Sequence, residues 1–261
     1  MQTKYEQEKV LAIVQARTDS KRLPGKVLKK INENTLIQLL LGRLKNSKLI
    51  SEIVLATTAS NEDDFLANYI NQLGYKVHRG STTNVLERFF NAAKIFNANT
   101  VVRITGDCPL IDSEIVDKVI NYYFISDCDY ASNTICPTFP DGLDVEVFSF
   151  RALKQAFLQA KTDHEKEHVT PYIKNSKKFT LSSYENTEDY SNERWTVDYK
   201  IDFELIKSIF LHFYPETNFN MKRIIQYKNS EPHLFEKNKH IKRNEGSFLD
   251  NKKKEERFKN F

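Results

Sequence analysis

No stretch of this 261-residue chain stays apolar for the roughly 18–20 residues that a membrane helix needs, so a membrane span is not expected. The opening residues, MQTKYEQEKV, lack the apolar core of a secretory signal. Only three cysteines occur (Cys108, Cys128 and Cys136), none in a CxxC pair, which argues against a disulfide framework or a cysteine zinc site. A reducing, cytoplasmic setting is the expectation. Glycine is scarce too: seven residues, none spaced GxGxxG, so no dinucleotide fingerprint is present. Gly25-Lys26 is followed by Val27 and lacks the earlier glycine of a P-loop.

Strong charge of one sign is also missing from most of the chain. The formal net charge is +4, but residues 237–261 hold nine Lys/Arg against four acids, which leaves the other 236 residues near −1. A nucleic-acid footprint over the main body is therefore disfavoured. The last 25 residues read as a basic, extended C-terminal tail whose deletion should leave activity intact, and residues 1–236 read as one domain, since no Pro/Gly/Ser-rich linker divides them.

Apolar runs alternate with helix-period segments. Strand-like runs at 10–15, 53–57, 76–78 and 101–104 are separated by amphipathic segments at about 35–45, 61–73, 84–96 and 113–124. That spacing predicts βαβ units on a mostly parallel sheet with helices on both faces. The second half is mixed, with strands expected at 130–132, 145–148, 179–183 and 194–198 and helices near 149–160, 163–174 and 201–212.

Ligands of open α/β sheets bind at the carboxyl ends of the strands. The loop after the first run, in "AIVQARTDSKRLPGKVL", packs Arg17, Lys21, Arg22 and Lys26 there. Arginine forks onto phosphate oxygens and lysine acts as a point charge, so a polyanion such as a triphosphate suits this loop, although a solvated basic loop is the plainer alternative. Phosphoryl chemistry asks for carboxylates at other strand ends to hold a divalent ion. "VVRITGDCPLID" supplies Asp107 and "RWTVDYKIDFEL" supplies Asp198, with Asp202 as a nearby competitor; each alone would usually be a cap or Asx turn. In "FPDGLDVEVFSF", Asp144 and Glu146 share one strand face. "HEKEH" (164–168) spells the zinc-protease HExxH, but its middle positions are charged and no third ligand follows, so zinc is not expected. Arg79 sits at a strand end, where it fits either a nucleotide contact or a surface ion pair.

"QARTDSKRLPGKVL" resembles the signature A-R-x-x-S-x-R-L-P-x-K of the sugar-activating cytidylyltransferases, the group containing the acylneuraminate and Kdo enzymes and the spore-coat polysaccharide biosynthesis proteins. The resemblance extends in ordered blocks over roughly residues 10 to 230 and is closest to the spore-coat branch. It implies a Rossmann-like α/β nucleotidyltransferase fold and transfer of CMP from CTP to a nonulosonic-acid-like sugar, with release of pyrophosphate, for surface polysaccharide or glycoconjugate synthesis. Carried over by position, Gln15 and Ala16 would contact the base and Arg17, Ser20, Arg22 and Lys26 the triphosphate, with Arg79 also on the nucleotide. Asp107 and Asp198 would share Mg²⁺, or Mn²⁺ in its place. Arg17, Lys26, Asp107 and Asp198 would form the catalytic set, and Asp144, Glu146, Glu167, His168 and Tyr172 would face the acceptor. The expected partners are CTP and a small sugar, with a homodimer common in the family. A nucleotide-sugar-dependent glycosyltransferase is the rival enzyme class, but it wants a DxD motif where GDCPLID has one acid. A non-catalytic nucleotide-binding protein is the third reading.

Overall fold

In the computed structural model, residues 8–243 and 245 are described. The first strand, β1 (Val10–Gln15), is buried from Val10 to Val14 and lies in the middle of a seven-stranded sheet. A short hairpin of β2 (Lys30–Ile31) and β3 (Asn34–Thr35) leads into α1 (Leu36–Leu44). Then follow β4 (Glu52–Thr58), α2 (Asp64–Gln72), β5 (Lys76–Gly80), α3 (Val85–Ile95), β6 (Thr100–Thr105) and α4 (Ser113–Ile125). β4 and β6 flank β1 and β5 pairs with β4, all in parallel. Strands buried on both faces read as unbroken apolar runs, which is why "VLAIVQ" and "EIVLATT" stand out in the sequence.

The second half continues with β7 (Tyr130–Ser132), β8 (Glu146–Ser149), α5 (Phe150–Gln159), α6 (Asp163–His168), α7 (Pro171–Asn175), β9 (Leu181–Ser183), α8 (Lys200–Phe213), α9 (Met221–Ser230) and α10 (Pro232–Phe235). The sheet order is β5-β4-β1-β6-β8-β7-β9, with β8 antiparallel to both its neighbours and β9 parallel to β7. Leu40, Ile70, Val116, Ile206 and their neighbours from α1, α2, α4 and α8 cover one face of the sheet. Phe89, Leu153 and Ile173 from α3, α5 and α7 cover the other. The α/β architecture with a mostly parallel sheet and a mixed second half is as expected.

Three local expectations are corrected. Residues 163–174 form two helices, because Pro171 starts α7 and Val169 between them turns to φ 70°. Residues 194–198 form no strand; their single ladder contact is the bridge between Arg194 and Asp141. Residues 237–243, assigned to an extended tail, are packed: Asn238 is buried and donates to the Arg194 carbonyl (3.0 Å) and Asp202 (2.9 Å), while Arg243 pairs with Asp144 and donates to the Phe139 carbonyl (3.0 Å). Apart from residue 245, the rest of that segment lies outside the described residues. No described helix is long and apolar enough to cross a membrane.

Candidate functional site

β1 and β6 run side by side and end together at Gln15 and Thr105. The Gly106 amide donates to the Gln15 carbonyl at 2.8 Å, and a Cβ on Gly106 would stand 2.7 Å from Ala16 Cβ. Only glycine lets the two strand ends approach this closely, and that closeness brings Asp107 beside the cationic loop. The loop itself is folded back by Gly25, at φ 64°, whose amide donates to the Thr18 carbonyl (3.0 Å). Thr18 is anchored in turn by its amide and hydroxyl on Asp63, both at 2.8 Å.

The result is a three-way contact on one atom. Lys26 Nζ donates to Asp107 Oδ2, Asp198 Oδ1 and the Val197 carbonyl, each at 2.9 Å. Arg22 reaches the same Asp198 oxygen at 2.6 Å, with its guanidinium 5.4 Å from the centre of the Tyr199 ring. Burial alone would favour neutral groups here, but the opposed charges win. Lys26 is raised above its ordinary value by Asp107 and Asp198, Asp107 is held at about 2 chiefly by Lys26, and Asp198 is lowered by Lys26 and Arg22 against the push of Asp107.

Asp198 is delivered by an extended segment, not by a strand. The Val197 amide (2.8 Å) and the Thr196 hydroxyl (3.2 Å) both donate to the Asp107 carbonyl. Arg194, buried beneath, forks onto Asp202 with two contacts of 3.0 Å and also reaches Asp141 (3.0 Å) and Asp198 (3.2 Å). Asp202 is fully buried, and it also accepts the amides of Asp198 and Tyr199 at 3.0 and 2.9 Å. Its side chain is spent on Arg194 and on capping α8. Arg43 holds the other flank by donating to the carbonyls of Leu110, Ile111, Thr217 and Phe219.

The remaining expected residues divide. Among the described residues Arg17 has no hydrogen-bond or ion-pair partner, while Ser20 lies half-buried in the same loop. Gln15 accepts from Arg103 Nε (3.0 Å), and the Ala16 amide donates to the Ala56 carbonyl (3.3 Å). Arg79 is tied to the carbonyls of Thr58 and Ser60 and to Asp64, so its side chain braces the β4–α2 connection. Glu146 is a correction. It is buried at 4% exposure, pairs with Arg103, accepts from Tyr130 (2.6 Å) and Thr170 (2.7 Å), and sits 3.6 Å from Lys174, so it is enclosed in an internal ion-pair cluster and is not presented to an acceptor. Asp144 is joined to Arg243. Burial and the neighbouring Asp144 push Asp141 up to about 7. Glu167 and His168 lie half-buried on α6, with the His168 ring 4.6 Å from that of His164; burial and His164 lower the His168 pKa. Tyr172 on α7 accepts from Lys178 (3.3 Å). No group of three or more His, Cys, Asp or Glu among the described residues is arranged to hold a metal unaided, the HEKEH segment included.

Arg194 and Arg43 are the residues that sequence reading missed. Arg194, Asp198 and Asp202 recur at four-residue intervals, which hinted at an ionic cluster. Arg43 carried no such signal.

The model of one protein family, described as cytidylyltransferase, matches residues 11–253. The chain belongs to the cytidylyltransferase family. Among curated proteins it is 39% identical over 239 residues to an uncharacterized protein, MJ1063, of Methanocaldococcus jannaschii, covering 90% of this chain and 96% of that one. It is 32% identical over 231 residues to the spore coat polysaccharide biosynthesis protein SpsF of Bacillus subtilis, covering 85% and 95%. A solved cytidylyltransferase from Leptospira borgpetersenii superposes with a TM-score of 0.83 at 34% identity over 87% of this chain and 97% of that one. A CMP-2-keto-3-deoxy-manno-octonic acid synthetase structure with CTP shares the fold alone, at 16% identity and TM-score 0.63, over 78% of this chain and 99% of that one. The nucleotidyltransferase fold and the enzyme class that the family resemblance implies are therefore shown.

Proposed function

We propose that this cytidylyltransferase-family chain moves CMP from CTP onto the hydroxyl of a sugar, with pyrophosphate leaving, in the synthesis of a surface polysaccharide or glycoconjugate. The observation that carries the reading is the Lys26 bridge. One cationic atom is surrounded at 2.9 Å by two carboxylates, one just past the end of β6 and one from the extended segment before α8, and by a backbone carbonyl.

Those oxygens also suit a hard divalent cation. An ammonium already stands among them, and an all-oxygen set of two carboxylates and a carbonyl leaves the other ligand positions to phosphate oxygens and water. Asp107 and Asp198 would hold Mg²⁺, or Mn²⁺ in its place, and the ion would neutralise charge on the triphosphate. When the nucleotide arrives, Lys26 exchanges its carboxylates for phosphate oxygens, and Arg22 and the unpaired Arg17 join it. The acceptor oxygen then forms a bond to the α-phosphorus as the hydroxyl gives up its proton to solvent water. The bond from that phosphorus to the bridging oxygen breaks, and pyrophosphate leaves with the electron pair. These residues supply alignment and charge stabilisation, and no covalent enzyme intermediate is required.

The acceptor lies toward Asp141, Asp144 and the α6–α7 region, where His168 and Tyr172 are half-buried. The test is pyrophosphate release with each of the four nucleoside triphosphates against a panel of neutral and acidic sugars. Release that requires CTP and one class of sugar is expected. Metal-dependent CTP binding with no turnover across the panel would overturn the transferase reading.

A further inference from the structure

Two cation–π contacts tie the cationic loop and the turn after it to the head of α8. The Arg22 guanidinium stands 5.4 Å from the centre of the Tyr199 ring, and Lys29 Nζ stands 5.8 Å from the centre of the Phe203 ring. Tyr199 is the N-cap of α8 and Phe203 lies four residues further on, so the two rings follow each other along one side of the helix. The two contacts differ in what the cation must do next. Among the described residues Lys29 makes no hydrogen bond or ion pair with Asp107 or Asp198, whereas Arg22 is bound to Asp198.

The Tyr199 ring is a fixed platform. Its amide donates to the fully buried Asp202 (2.9 Å), and its carbonyl accepts from the Phe203 amide (3.1 Å). Its hydroxyl donates to Glu245 Oε2 at 2.8 Å. Burial and Glu245 raise the phenol above its ordinary value, so it remains a donor at neutral pH. Backbone and phenol are both held, and the face between them is left to a cation.

Arg22 is the group that needs such a face. Its side-chain partners are Asp198 Oδ1 at 2.6 Å and the Tyr199 ring. Lys26 shares that carboxylate oxygen but also has Asp107 and the Val197 carbonyl. When Asp198 turns to a divalent ion, Arg22 therefore loses its one ion pair. A partly exposed arginine released in this way spreads over many rotamers, and that freedom must be given up again when it grips a phosphate. A ring face attracts a guanidinium without using any of its N–H donors, so this contact persists while the donors pass from carboxylate to phosphate. We propose that Tyr199 is a positioning residue for nucleotide binding, its ring holding the Arg22 guanidinium in place while Arg22 exchanges Asp198 for phosphate oxygens. The inference rests on the cytidylyl-transfer reading above and adds to it a residue that acts through Arg22 and touches no substrate atom.

The experiment uses the full-length protein with Mg²⁺. Calorimetry measures the binding of CTP and of inorganic tripolyphosphate to wild type, Tyr199→Leu, Tyr199→Phe, Arg22→Met and the variant carrying both Arg22→Met and Tyr199→Leu. Thermal melts without ligand check folding, and Tyr199→Met replaces Tyr199→Leu if the latter does not fold. Tyr199→Leu should weaken both ligands by about three- to tenfold, and Tyr199→Phe by less than about twofold because the ring face survives. Once Arg22→Met has removed the cation that uses the ring, Tyr199→Leu should cost less than about twofold. The same loss with and without Arg22 would reduce Tyr199 to a brace of α8 and overturn the proposal. So would a Tyr199→Phe loss as large as that of Tyr199→Leu, which would credit the Glu245 contact, or a loss confined to CTP, which would put the ring on the nucleoside. Wild-type protein that binds neither ligand refutes the transferase reading together with this inference, whereas wild-type binding with additive variants refutes the Tyr199 assignment alone.

Discussion

A lysine ammonium and a divalent ion make similar demands on a pair of carboxylates, and Lys26 meets that demand between Asp107 and Asp198. It follows that Lys26 competes with any ion arriving alone. Lys26→Met should therefore tighten Mn²⁺ binding to the nucleotide-free protein by about tenfold, read by electron paramagnetic resonance, while lowering pyrophosphate release by roughly a hundredfold or more. Unchanged Mn²⁺ affinity would show that the bridge does not guard the acids. Glu146 supports a second residue-level prediction. Burial works against its charge, but Arg103 and Lys174 hold it at about 2, below the ordinary 4.5. A depressed carboxyl contributes stability that is present above its ordinary value and is lost as the pH falls toward 2; here that is about 3 kcal/mol. Urea unfolding of wild type from pH 6 down to about pH 3 should show this loss, and Glu146→Gln should be less stable at pH 6 with a flatter acid limb. At this scale the site was only partly legible. Asp107 and the arginines and lysines of 17–26 carry an ordered motif. Glu146 alternates correctly with Asp144, yet nothing in "DVEVF" announces that Arg103 of β6, Tyr130 of β7, and Thr170 and Lys174 at and within α7 converge on it.

Elements were legible where burial imposes a period. The parallel strands β1, β4, β5 and β6 and the helices between them follow from apolar runs and amphipathic stripes, because both faces of the sheet are covered. Residues 194–198 misled for a physical reason. Alternation in "RWTVD" looks like a strand, but its amides and hydroxyl spend themselves on Asp107 and Asp141 in place of a neighbouring strand. Gly142 is what allows that approach. It sits at φ 113°, and a Cβ there would lie 2.5 Å from the Trp195 carbonyl carbon and 2.6 Å from the Thr196 amide nitrogen. Gly142→Ala should therefore displace the segment carrying Asp198 and cost about 2 kcal/mol or more, with activity falling further than stability. Denaturant melts beside pyrophosphate assays check this; a variant of wild-type activity would mean that the segment tolerates movement. The short α9 and α10 and the β2–β3 hairpin were not anticipated, since two- to ten-residue elements give a period too little length to show.

The whole molecule closes on itself beside Asp141 and Asp144. Asn238 reaches Arg194 and Asp202, and Arg243 reaches Asp144, so the stretch after residue 236 finishes the support of both acid-bearing segments. The charge count that marked 237–261 as a solvated tail averaged a packed beginning with the remainder and hid this. A chain ending at residue 236 should melt lower by roughly 5 °C or more and transfer CMP more slowly, as calorimetry and pyrophosphate release would show. Wild-type values for both would return the segment to the role of a dispensable end.

A cleft whose opposing acids are already neutralised from within has no need of an added ion to keep its shape. Chelator-treated protein should therefore be idle but intact, melting within about 1 °C of untreated protein, and recover its rate as soon as divalent ion and nucleotide are supplied together. If transfer runs on a divalent ion as proposed, such an enzyme would wait through its scarcity without unfolding, dormant in chemistry and not in structure.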